Sequence, residues 1–140
     1  MKRFVTGIVL SFLAFTANAW ADVSWEQNYD AALQKAQKEQ KLVMVDVYTD
    51  WCGWCKKLDK DAYSNKDVTA KLSHDFIAVK INPEKTAANA KLAKQFGVNG
   101  YPHIAFVDRT GKKVAEIVGY VPAKEFLKKL NEVTDQAKKK

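Results

Sequence analysis

Asp50-Trp51-Cys52-Gly53-Trp54-Cys55-Lys56 holds both cysteines of the chain, directly after the apolar, β-branched run 42–48. With that run as a strand and Gly53 onward as a helix, Cys52 falls at the helix N-terminus. There the unpaired backbone N–H groups and the helix dipole stabilise a thiolate. Cys55 sits one turn along, within reach of the same sulfur. An outer thiolate at Cys52 can attack a substrate disulfide, and Cys55 can resolve the mixed disulfide by internal attack. Cys52 and Cys55 are therefore the expected catalytic pair, cycling between a dithiol and a redox-active Cys52–Cys55 disulfide.

Other uses of two cysteines fit less well. A structural bridge across so short a loop removes little unfolded-state entropy. A zinc site takes about four ligands, and beyond the cysteines the chain offers only His74 and His103 for soft coordination. Haem attachment wants His directly after the second cysteine, where Lys56 stands. Paired thiolates suit Cu(I), but no methionine cluster accompanies them. Neither a metal nor an organic cofactor is expected.

The N-terminus bears on where this chemistry occurs. Met1-Lys2-Arg3 is followed by the apolar stretch 4–16, and Ala17-Asn18-Ala19-Trp20-Ala21 offers two overlapping Ala-x-Ala cleavage sites. Such a pattern predicts a secretory signal peptide over 1–21, cleaved near Ala19 or Ala21. The apolar stretch falls short of the ~20 residues that span a bilayer. Export, to the periplasm or an equivalent space, would place the dithiol in an oxidising compartment.

The remaining residues 22–140 suffice for one domain with a hydrophobic core, spanning about 25–133 and followed by a basic tail over 134–140. The formal charge of the whole chain is +7, and the leader takes Lys2 and Arg3 with it. The other basic residues are dispersed, as in a solvated lysine surface, and nucleic acid is not an expected partner.

The elements that must position the cysteines can be read from the pattern. Ser24 followed by Gln27 resembles a capping box, and Trp25, Tyr29, Leu33 and Ala36 recur at helical spacing, which predicts a helix over 25–39. The run 42–48 is apolar on both faces apart from Asp46, as in a doubly covered central strand. Helix follows through Ala62, and Ser64 with Asp67 restarts it toward Leu72. Residues 76–81 read as a second strand, and 87–96 as a helix ended by Gly97. Residues 103–107 and 113–118 read as an antiparallel hairpin turning at Asp108-Arg109-Thr110-Gly111. Pro122 then opens an amphipathic helix carrying Phe126, Leu127, Leu130 and Val133. This order predicts an α/β sandwich with a mixed central sheet flanked by helices.

Over about 25–133 the chain resembles the thioredoxin-fold proteins. Residues 45–52 match that family's strand-to-active-site segment, with Asp46 at its buried acid and Trp51 at its pre-cysteine tryptophan. Lys80 falls on the lysine of the neighbouring strand. Phe96-Gly97-Val98 through Tyr101-Pro102 fits the run into the cis-proline, and Gly119 fits the glycine that ends the last strand. Trp54 departs from the usual proline between the cysteines, and the family's first strand has no convincing counterpart. Cys-x-x-Cys-Lys, Leu58-Asp59-Lys60 and Tyr63-Ser64-Asn65 are most similar to exported thioredoxin-like proteins related to the C-terminal domain of the thiol:disulfide interchange protein DsbD. The resemblance implies a three-layer thioredoxin-like sandwich and a thiol:disulfide oxidoreductase.

The supporting residues have roles arguable from their chemistry. Asp46 sits among apolar neighbours, so desolvation would favour its neutral form and suit it to exchange a proton with Cys55; it could instead be an acid merely satisfied by Lys80, and the two readings are compatible. Trp51 either packs beneath the loop or, with Gly53 and Trp54, forms a surface that contacts substrate. If Tyr101-Pro102 is cis, as the resemblance implies, Tyr101 can pair with an extended substrate peptide. Lys80 and His103 are supporting candidates, His103 because it follows that proline and could tune the cysteines. His74 reads as a helix end without a chemical role. The expectation is an exported monomeric reductase that exchanges electrons between a membrane thiol reductase and protein disulfides. The alternatives are a protein-disulfide oxidase or isomerase and, in another class, a non-enzymatic binding module such as a metallochaperone or holdase.

Overall fold

Trp25–Glu26 (β1) forms a short strand ahead of the first helix, Tyr29–Glu39 (α1). These lie in a computed structural model that describes residues 22–139, so the expected leader over 1–21 falls outside the described residues. The chain continues through Leu42–Val47 (β2), Gly53–Asp61 (α2), Lys66–Asp75 (α3), Phe76–Ile81 (β3) and Ala87–Gln95 (α4). It ends with His103–Val107 (β4), Lys113–Val118 (β5) and Ala123–Lys138 (α5). The sheet order is β1-β3-β2-β4-β5. β1 and β2 both run parallel to β3, while β4 runs antiparallel to β2 and to β5.

Two expectations about the N-terminal segment are corrected. The helix does not begin at Trp25, because Trp25 and Glu26 pair with Ala78 and Val79 along the edge of β3. The expected Ser24–Gln27 capping box is replaced by Asn28, whose side chain accepts the Ala31 N–H at 2.9 Å. Asparagine is among the best residues for this role. The strand that had seemed to lack a counterpart is therefore present, reduced to two residues. Likewise Asn65 caps α3, accepting from Asp67 and Val68, while the Ser64 hydroxyl turns back to the Lys60 carbonyl. Helix α5 continues past Val133 into the expected basic tail, and Thr134 is buried.

Side chains alternate across a strand with period two, so each face of the sheet receives its own set. Val43, Val45 and Val47 of β2 pack with Ala32 and Ala36 of α1 and Ala93 of α4. Met44 faces the other way, against Leu58 of α2, Leu72 of α3 and Phe126 and Leu130 of α5. The sheet is thus the middle of three layers. Asp46 shares the parity of Met44 and points toward the α2 layer. That placement puts a carboxylate under the helix that carries the cysteines.

Candidate active site

The end of β2 delivers the chain to the two sulfurs. After Val47 the backbone leaves the sheet, and Cys52 N–H donates to the Thr49 carbonyl at 3.3 Å. Cys52 is the N-cap of α2, with extended backbone angles, and its Sγ accepts the Cys55 N–H at 3.1 Å. One of the unpaired amides at the helix start is therefore aimed at the sulfur expected to carry negative charge. Cys52 and Cys55 form a disulfide with Cα atoms 5.3 Å apart. Both are buried, with 5 % and 2 % of their surface exposed.

Trp51, just ahead of the disulfide turn, and Trp54, within it, stand exposed at 67 % and 59 %. Packing of Trp51 beneath the loop is thereby excluded. Its indole N–H donates to Glu84 at 3.0 Å, and its ring meets Tyr101 edge-on at 5.8 Å. That contact joins the Cys52 turn to the Tyr101–Pro102 turn, whose peptide bond is cis. Gly119, at φ 82°, donates its N–H to the Pro102 carbonyl at 2.9 Å and so ties the end of β5 to the same turn. Trp54 lies against Tyr120 at 5.4 Å, and the Tyr120 hydroxyl is held by Asp61 at 2.6 Å. A Cβ on Gly53 would meet only open space, leaving the backbone between the cysteines accessible.

Asp46 is 1 % exposed. The parallel register of β2 and β3 sets it opposite Lys80, whose Nζ donates to Asp46 Oδ2 at 2.8 Å and to Asp59 Oδ1 of α2 at 2.7 Å. Asp59 is one helical turn beyond Cys55, so Lys80 links the buried acid to the cysteine helix. Burial pushes the Asp46 carboxyl above the ordinary aspartate range, and the Lys80 charge opposes that rise without cancelling it. The Lys80 contact is present as read from the sequence, and it leaves the Asp46 titration raised.

His103 does not join the cysteines. It shares the parity of Val107 on β4 and faces the α1/α4 layer, the side of the sheet opposite α2. Its Nε2 lies 3.1 Å from Glu116. Burial holds its pKa below the usual imidazole value. Asp50, adjacent to Trp51, is exposed and has its pKa lowered by a hydrogen bond from Lys85. Asp59, Tyr120 and Glu84 escaped the sequence reading as site residues. For Asp59 the signal was available, since a residue four beyond Cys55 lies on the same helix face; Tyr120 and Glu84 are placed by loops and had none.

The thioredoxin-like domain family matches residues 29–134. Over 88 % of its length the chain is 32 % identical to the thiol:disulfide interchange protein DsbD of Haemophilus ducreyi, and it covers 26 % of that protein. It spans between about a sixth and a quarter of the length of the curated relatives it matches. Among solved structures, a thioredoxin from Thermus thermophilus superposes with a TM-score of 0.73 at 27 % identity, covering 81 % of this chain and 88 % of that one. The oxidised C-terminal domain of Neisseria meningitidis DsbD gives a TM-score of 0.62 at 25 % identity, covering 74 % of this chain and 90 % of the domain.

Proposed function

The chain belongs to the thioredoxin-like domain family and carries a thiol:disulfide exchange pair, and on that premise we propose that it works as an exported reductase of protein disulfides. One observation carries the reading: Cys52 caps α2 with its sulfur receiving the Cys55 N–H and bonded to the Cys55 sulfur. In the reduced protein the Cys52 thiolate attacks a substrate disulfide, and the first substrate sulfur leaves with the electron pair. Asp46 takes the Cys55 proton, and the Cys55 thiolate then attacks Cys52 Sγ. The second substrate sulfur departs, two electrons have passed to the substrate, and the Cys52–Cys55 disulfide remains. Trp51, Gly53, Trp54, Tyr101 and Pro102 form the surface across which the substrate peptide lies.

The reducing direction is supported by what surrounds Cys52. A strong oxidant stabilises its thiolate heavily, and a neighbouring imidazolium is one way to do so. Here His103 faces the other side of the sheet, and the His74 side chain is 84 % exposed on α3. Among the described residues, only α4 intervenes between β3 and β4, with no large helical insertion of the kind found in DsbA-like oxidases. Residues 1–21 act as the export leader, and 22–140 function as a monomeric domain without metal or organic cofactor. In an oxidising compartment the dithiol stays reduced only if electrons are resupplied, which calls for a membrane thiol reductase as donor.

The test is the Cys52–Cys55 reduction potential, measured by equilibration in dithiothreitol buffers beside an insulin-reduction assay. The expected value lies nearer thioredoxin's −270 mV than DsbA's −120 mV, a span of ~7 kcal/mol for two electrons. A potential above about −150 mV, with the protein oxidised in cells, would make it an oxidase.

A further inference from the structure

Lys80 is surrounded by aromatic rings as well as by carboxylates. Its Nζ lies 4.9 Å from the ring centre of Trp25, 4.9 Å from that of Tyr48 and 5.2 Å from that of Tyr63. Among these three residues, Tyr63 alone presents a buried polar atom without a partner. Its hydroxyl and Asp46 Oδ1, the carboxyl oxygen Lys80 does not reach, are both closed to solvent with no formed hydrogen bond. One is a donor and the other an acceptor, and both stand at the same ammonium group, for Lys80 Nζ lies 2.8 Å from Asp46 Oδ2 and 5.2 Å from the centre of the Tyr63 ring. Leaving both unpaired carries the desolvation cost of each.

The ring bearing that hydroxyl is held from two sides. Trp25 meets it edge-on at 5.0 Å and Phe126 of α5 does so at 5.5 Å. Trp25 is delivered by β1, the two-residue strand on the edge of β3. Through Trp25 this two-residue strand closes the Lys80 cluster and fixes the Tyr63 ring.

Resting on the exchange reading above, we propose that Tyr63 is a positioning residue for the resolving step, its hydroxyl closing onto Asp46 Oδ1 when that carboxyl is charged while Lys80 holds Oδ2. The carboxylate is then gripped at both oxygens when it accepts the Cys55 proton. The Cys55 thiolate forms the bond to Cys52 Sγ as the Cys52–substrate S–S bond breaks, and the substrate sulfur leaves with the electron pair and takes up a proton. The charged and titratable groups that bear on Asp46 are Lys80 from β3, Asp59 from α2 and Tyr63 from the turn between α2 and α3, with Cys55 of α2 the proton donor in the exchange reading. On the β4 side its pairing partner is the uncharged Ile104. A donor to the charged form favours that form, so losing the hydroxyl moves the Asp46 titration upward.

Reduced protein mixed with a chromogenic aromatic disulfide releases one aromatic thiolate as Cys52 attacks and a second as Cys55 resolves, and the second phase is followed against pH. Tyr63→Phe keeps the ring and removes the donor. Its profile is expected to move up by about half to one pH unit, with no further movement in an Asp46→Asn background. Incorporating 3-fluorotyrosine at 63, a stronger donor of nearly the same shape, is expected to move the profile down, and this holds the test if Tyr63→Phe folds poorly. Profiles that superimpose on wild type in both variants overturn the role of Tyr63. A wild-type protein that releases no second thiolate at any pH overturns the exchange reading itself.

Discussion

Replacing Asp46 with Asn sets two large effects against each other. Removing one partner of a buried ion pair ordinarily costs ~3–5 kcal/mol, because the other charge is stranded. Lys80 would not be stranded, since it keeps Asp59 at 2.7 Å and its side chain is 22 % exposed. Asp46 is the costlier charge to bury, at 1 % exposure with Oδ1 unpartnered. Burial outweighs Lys80 and raises its pKa in the folded state. Between the unfolded and folded pKa values the native state therefore holds a proton that the unfolded chain has lost. Wild-type stability is fullest below the unfolded aspartate pKa and falls as pH rises toward the folded one. Asparagine has no such slope. The variant is expected to be more stable by about 1–2 kcal/mol near pH ~8, at the lower end of what removing buried charge yields, with the gain shrinking to roughly 0.5 kcal/mol near pH ~4. Urea unfolding of the oxidised protein, followed by tryptophan fluorescence, reads this as a midpoint shift at constant slope. Resolution of the mixed disulfide should slow in the same variant. A variant less stable than wild type near pH ~8, or a difference independent of pH, would refute the reasoning.

Cys55→Ser should trap covalent complexes with substrate proteins on non-reducing gels while Cys52→Ser does not, and the reverse pattern would exchange the attacking and resolving roles. Trp51→Ala and Trp54→Ala should each alter stability by less than ~0.5 kcal/mol, as exposed positions do, yet raise KM for protein disulfides; unchanged steady-state kinetics in both would remove these rings from the docking surface. Asn65→Ala removes the acceptor for the Asp67 and Val68 amides and should cost about 1 kcal/mol in thermal unfolding, and an unchanged midpoint would mean that solvent serves the helix end equally well.

Most of the helices and strands, and the cysteine chemistry, were legible because they rest on local rules. A continuous apolar run marks β2, periodicity near 3.6 marks α5, Gly97 stops α4, and a Cys-x-x-Cys after a strand places one sulfur at a helix start whatever the rest of the chain does. Two misreadings were local, Asn28 and Asn65 capping helices where Ser24 and Ser64 read as starts, and the others fell where the deciding contact is distant in sequence. Two residues carry no detectable period, so β1 became visible only through its pairing with Ala78 and Val79. Trp51 read more readily as packing beneath the loop than as contact surface, whereas the bond to Glu84, 33 residues away, and the edge of Tyr101 hold it outside.

By itself the sequence determined that a dithiol couple sits at the start of a helix in a mixed α/β sandwich, because sterics, apolar periodicity and capping act within a few residues. Only the tertiary structure decided what stands around that couple. Parallel register across 34 residues joined Lys80 to Asp46, strand parity turned Asp46 toward α2 and His103 away from it, and α5 closed over Tyr63. Those choices depend on which strands pair and on which face each residue then points to, and a one-residue slip would reverse every one of them.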